Sequence, residues 1–219
     1  MTRSSCFGLC VCLALSLTVL ACGSSNSNPG TSAPWDQARI GDAGTNWWVN
    51  ARKGAYFISA QFSPSYVDSA TGRALVITFT QSVLAKLKAG AAPATLVPAA
   101  SELPGGGWQL DPQEPKTASG PGVATTEDEA VALIDGSASP FYCTDLTSQK
   151  DCSKLYQATG LAWEIYAKDP SYLIELKVWQ MASAADATAL YSDLLKNSLY
   201  SNVTWVDCTG SDPANLCPQ

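Results

Sequence analysis

The segments NWWVNARKGAYFISAQF (46–62) and AWEIYAKDPSYLIELKV (162–178) align without a gap at an offset of 116 residues. Trp47 matches Trp163, Ala51 matches Ala167, Tyr56 matches Tyr172 and Ile58 matches Ile174. Val49/Ile165, Arg52/Lys168, Phe57/Leu173 and Phe62/Val178 are similar in kind. Each segment reads as two strands around a tight turn: Arg52-Lys53-Gly54 in the first, Lys168-Asp169-Pro170-Ser171 in the second. In the second, Tyr172, Ile174, Leu176 and Val178 alternate with polar Glu175 and Lys177, the period of a half-buried strand. A slip of one residue turns every side chain to the opposite face. Matched positions therefore predict that Tyr56, Ile58 and Phe62 share a face with Tyr172, Ile174 and Val178.

A helix is expected after each hairpin. Ser183 with Asp186 three residues on is in capping-box register. Leu190, Tyr191, Leu194 and Leu195 then share one side, up to Asn197. In the first copy Leu75, Val76, Phe79, Val83, Leu84 and Leu87 fit helical spacing up to Gly90, although Ile77-Thr78-Phe79-Thr80 has strand character. Two strand–strand–helix repeats, 46–90 and 161–197, predict an α+β fold: one antiparallel sheet with helices packed on one face. The expected organisation is a leader over 1–21, a tether over 22–34 and one domain over 35–219.

The joining stretch 90–124 is rich in Pro, Gly and Ala. Its ELPGGGW (102–108) offers three glycines that could form an amide nest for an anion; the preferred reading is a turn before a buried Trp108. In TTEDEAVALIDG, Thr126 and Glu129 form a second capping-box pattern, and acids suit the first helical turn. Gly136 suits the helix end.

The amino-terminal residues set a location. Arg3 precedes the apolar run FGLCVCLALSLTVLA, about 15 residues, shorter than the roughly 20 a membrane-spanning helix needs. That is the layout of a secretory signal peptide. Val19-Leu20-Ala21-Cys22 resembles the lipobox of bacterial lipoproteins. The resemblance implies a diacylglyceryl group on the Cys22 thiol, cleavage before Cys22 and acylation of the new amino terminus; two or three chains make such an anchor stable. The following GSSNSNPGTSAP (23–34) reads as a flexible tether. Gly23, in place of Asp, implies the outer membrane if the cell has one.

Of eight cysteines, Cys6, Cys10 and Cys12 fall in the expected leader, and the lipobox resemblance assigns Cys22 to lipid. The even remainder, Cys143, Cys152, Cys208 and Cys217, implies disulfides in an exported chain. Both 143/152 and 208/217 are nine residues apart in polar loops, so two local bridges are expected, lying outside the core. A four-cysteine zinc site would favour close pairs, and the spacing offers none.

The chain after the leader carries 12 basic and 19 acidic residues, a net charge of −7 once Arg3 is removed from the 13 basic residues of the whole chain. Phosphate recognition needs basic surface, so no nucleic acid is expected. There is no histidine, which excludes Ser–His–Asp and Cys–His catalysis and H-E-x-x-H zinc chemistry. Phosphate-loop, Ser-x-x-Lys and G-x-S-x-G patterns are absent as well. Asp207, Asp212 and Asn215 are oxygen donors that could hold calcium, but a disulfide-stapled polar loop explains them. Seven tryptophans could stack on sugars, though most tryptophans are core or rim residues.

The order ELPGGGW, ALIDGSASPFY, WEIY, QMASAADATALYSDLL resembles a family of uncharacterised bacterial exported proteins over roughly residues 102–195. The resemblance implies a fold and lends no catalytic residues. No catalytic, cofactor or metal residue is assigned. The expected function is that of a lipid-anchored envelope protein, a non-enzymatic binding or interaction module. It would meet the membrane through its lipid and an envelope protein or glycan through its domain. The alternative is a carboxylate-dependent hydrolase acting on envelope glycan, which needs two converging acids in an aromatic-lined cleft.

Overall fold

The computed structural model describes residues 35–44, 46–64, 69–111, 116–135, 157–168, 172–193, 201–208 and 217. Three strands come first: β1 (Gln37–Asp42), β2 (Trp47–Lys53) and β3 (Tyr56–Pro64). The turn between β2 and β3 places Gly54 at φ +55°, which costs glycine nothing. Helix α1 (Ser69–Lys86) follows. The strand-like Ile77–Thr80 stretch is helical because Val76, Phe79 and Val83 bury one helical face in the core, and Thr78 and Thr80 fit by returning their hydroxyls to the carbonyls of Ala74 and Val76 at 2.8 and 2.9 Å.

Next come α2 (Pro93–Leu96), β4 (Gln109–Leu110), β5 (Lys116–Thr117), β6 (Gly120–Pro121), β7 (Val123–Ala124) and α3 (Glu127–Asp135). The second hairpin is β8 (Ala158–Lys168) and β9 (Tyr172–Met181), followed by α4 (Ala184–Asp193) and β10 (Thr204–Asp207). The fold is α+β, as expected. The main sheet is antiparallel throughout its described pairs, in the order β10-β1-β2-β3-β9-β8-β4, with β7 also on β8.

Both hairpins lie in that sheet, joined through β3 and β9, where Ile58 faces Val178 and Phe62 faces Ile174. Tyr56, Ile58 and Phe62 do share a face with Tyr172, Ile174 and Val178. The first strands break the repeat. In the first hairpin Lys53 pairs with Tyr56 across two residues; in the second Lys168 pairs with Tyr172 across three. The extra residue slips the register by one, which reverses the faces. Trp47 packs on the α1 side, whereas its counterpart Trp163 packs on the other.

The helices correct the expectation further: they do not share a face. On the front, α1 lays Val76, Phe79 and Val83 over Val49, Ile58, Phe62, Ile174 and Leu176. Gly72 permits the approach, since a Cβ there would stand 2.4 Å from the Phe62 ring. On the back, α4 lays Ala187, Leu190 and Tyr191 against Trp48, Phe57 and Trp179, and α3 adds Ala130 and Leu133. The one-face arrangement, and with it two superposable units, is not what the chain builds.

The two capping signals work largely as read. Ser183 Oγ accepts from the Asp186 amide at 3.2 Å and donates to its carboxylate at 2.5 Å. Thr126 Oγ1 accepts from the Glu129 amide at 3.2 Å, but the Glu129 carboxylate reaches the amide of Thr125, one residue before the cap, at 2.8 Å. Leu194, Leu195, Asn197 and Gly136 lie outside the described residues.

Cys208 and Cys217 are bridged, with Cα atoms 4.5 Å apart. The bridge does not sit outside the core. Cys217 is buried in the front cluster with Cys208 packed against it, and Arg73 of α1 donates to the Cys217 carbonyl at 2.5 Å. It fastens the end of β10 to the face that α1 covers. Cys143 and Cys152 lie outside the described residues, as do Cys22 and residues 23–34.

Candidate functional site

The back face is built unlike the front. Cross-strand pairing lines up Asp207, Arg39, Asn50, Ser59, Lys177 and Trp163 in one row across β10, β1, β2, β3, β9 and β8. Arg39, Asn50, Ser59 and Lys177 are all buried. The neighbouring row towards one end holds Trp205, Trp48, Gln61 and Glu175; the row on the other side holds Arg52, Phe57 and Trp179. A polar belt therefore runs between two partly aromatic rows.

The charged members of the belt are held by rings and by opposite charge. The Arg39 guanidinium lies 4.0 Å from the centre of the Tyr191 ring and 5.2 Å from that of Trp205. It also donates to the Tyr191 carbonyl near the end of α4, where a cation suits the helix dipole. Lys177 Nζ lies 4.0 Å above Trp163 and 2.6 Å from the Glu175 carboxylate. Burial pushes the Lys177 amine below its ordinary value, and Glu175 opposes that shift. Burial likewise raises the Tyr191 phenol to about 12.

At the Arg39 end the belt meets a groove of about 440 Å³, lined by Asp36, Gln37, Arg39, Tyr191, Ser192 and Asp207 among others. The groove is thus walled by β1, β10 and the end of α4. Alternation places Lys177 with Glu175 on the polar face of β9, but that face is covered and Lys177 is buried; Arg39 and Asn50 carry no sequence assignment. The signal available was polar residues at inward positions of apolar strands, as in Trp47-Trp48-Val49-Asn50-Ala51.

The other sequence candidates have structural duties. Trp35, Trp48, Trp108, Trp163 and Trp179 are buried in the two cores. Gly105, Gly106 and Gly107 all have positive φ. Their loop offers the Gly105 carbonyl to Lys168 Nζ at 2.8 Å and delivers Trp108, whose ring centre lies 5.4 Å from that of Phe79. Glu164 pairs with front-face Leu176, whereas Glu175 pairs with Ile165 on the back, so these two acids do not converge. Asp212 and Asn215 lie outside the described residues. Among the described residues no cluster of three metal-ligating side chains occurs, and no helix is long and apolar enough to cross a membrane.

No protein-family model matches this chain, and neither a curated protein nor a solved structure matches it.

Proposed function

We propose that this is a lipid-anchored protein of the bacterial envelope, held by a lipid on Cys22 and acting as a non-enzymatic binding module. Val19-Leu20-Ala21-Cys22 followed by a Ser/Gly/Asn/Pro tether supports the anchor. In a cell with two membranes, Gly23 favours the outer one. The observation that carries the non-enzymatic reading is the engagement of five of the described carboxylates. Asp36 holds Arg52 and Lys53 at 3.1 and 3.4 Å, Glu102 holds Lys86 at 2.5 Å, and Glu175 holds Lys177 at 2.6 Å. Glu129 collects Ser119 and Thr125, and Asp186 belongs to a helix cap. Acids engaged in this way are poor proton donors and nucleophiles.

Two measurements test the two halves. Intact mass and detergent-phase partition of the native protein should show a lipidated Cys22 and recovery in the detergent phase. Cys22→Ser should give an uncleaved precursor or an aqueous protein. An unmodified thiol at Cys22 removes the anchor. Incubation with purified cell-wall sacculi should release no new reducing ends; their release would install the glycan hydrolase instead.

A further inference from the structure

One row of the back face holds a combination that packing does not account for. Asn50 is wholly buried, and neither its Oδ1 nor its Nδ2 has a hydrogen-bond partner among the described residues. Such an amide disfavours the folded state. Two strands along the same row stands Lys177, a buried amine. Its Nζ lies 2.6 Å from the Glu175 carboxylate and 4.0 Å from the centre of the Trp163 ring. A buried amide, a buried amine and a carboxylate in contact with that amine are the three parts of an amide exchange.

We propose that Lys177 and Asn50 join through their side chains in an intramolecular isopeptide bond, which cross-links β9 to β2. Glu175 takes one proton from the Lys177 ammonium. The neutral Nζ then attacks Cγ of Asn50. The Cγ–Nζ bond forms and the Cγ–Nδ2 bond breaks. Nδ2 leaves as ammonium with the two protons that Nζ sheds, one of them passed through Glu175. Glu175 is then a carboxylate again, beside the new amide N–H. Nothing is oxidised or reduced, and no outside reactant enters.

The surroundings favour each step. Burial pushes the Lys177 amine below its ordinary value, which brings the nucleophilic neutral form closer. Trp48, Phe57 and Trp179 stand in the flanking rows, and Leu190 and Tyr191 of α4 lie over them. Of the row, Ser59 alone lies between Lys177 and Asn50, and it is the smallest side chain there. The two backbones are about 10 Å apart, two interstrand spacings. The flexible four-carbon stem of lysine and the asparagine side chain together span that distance when they lean towards each other. The step turns the stem from Trp163 across Ser59. The engagement of Glu175 with Lys177, which unfits it for an outside substrate, equips it for this one. The bond ties the first hairpin to the second, and it needs neither a ligand nor the lipid on Cys22.

The test is peptide mapping of the native full chain, purified in detergent, reduced and digested with trypsin. A branched peptide is expected, residues 40–52 joined to 169–196 and uncut at Lys177. It should be about 17 Da lighter than the two linear peptides together, the mass of the ammonia that the exchange releases. Lys177→Arg and Asn50→Ala should each give linear peptides only. Glu175→Gln keeps both partners and should lower the branched fraction of freshly made protein at least about 10-fold, as loss of a proton acceptor does. A native chain that yields only linear peptides, cut at Lys177, overturns the proposal, and that measurement stands whether or not a variant folds. A branched peptide that persists in Lys177→Arg or Asn50→Ala overturns it too, because the link would lie elsewhere. An undiminished branched fraction in Glu175→Gln overturns the assignment of Glu175. Linear peptides from a chain lipidated at Cys22 would leave the anchor standing and remove only the cross-link.

Discussion

The two faces of one sheet are covered by different means. On the front, an 18-residue helix closes a mainly apolar core in which Glu164 of β8 is the buried acid, with Phe79 set edge-on to both Trp108 and Tyr166 at 5.4 and 5.2 Å. On the back, a helix of nine and one of ten residues rest on a face crossed by a polar belt. The front contributes burial and close packing, which scale with apolar area and are lost when a void opens. The back buries arginine, asparagine and lysine, whose desolvation offsets much of what its aromatic rings contribute. Stability belongs mainly to the front.

The contrast can be broken by removing its strongest contact. Phe79→Ala should cost about 3–5 kcal/mol, the range for deleting a buried aromatic ring, read as a fall in the midpoint of urea unfolding. A loss near 1 kcal/mol would mean that the front core is loosely packed and the comparison fails. Reducing the Cys208–Cys217 bridge, or replacing both residues by serine, should cost about 2–3 kcal/mol through the freed loop in the unfolded chain. The same unfolding experiment measures it. Leu190→Ala, on the back, should cost about 2 kcal/mol, the low end for a buried leucine. If it matched or exceeded the Phe79 change, the two faces would be energetically alike.

The smallest effect should come from Glu129, in the first turn of α3. Amide and hydroxyl donors from Thr125 and Ser119 hold its carboxyl below the ordinary carboxylate value. A depressed folded value means that the stabilisation is present above the unfolded value and is lost as pH falls through the folded one. Thermal melts between pH 7 and pH 3 should therefore show a shallower acid decline for Glu129→Gln than for the native protein. Parallel curves would mean that the exposed carboxylate is fully solvated and contributes nothing.

The sequence carried the local structure well, and the reasons are local. Alternation placed β3 and β9, a hydroxyl with an acid three residues on placed the starts of α3 and α4, and nine-residue spacing paired Cys208 with Cys217. The polar belt was not legible. Arg39, Asn50, Ser59 and Lys177 come from four strands, and only register brings them into one row.

By itself, then, the sequence determined the hairpins, the helix caps, the class of the fold and the absence of histidine-dependent chemistry. Tertiary structure alone decided which way things face. One additional residue in the turn between β8 and β9 slips that hairpin by a single position, and a strand's period of two converts the slip into a reversed face. Trp47 and Trp163, matched in sequence, therefore point to opposite sides, and α1 and α4 cover opposite faces. Pattern along the chain fixes what an element is; the hydrogen-bonded register between elements fixes what it touches.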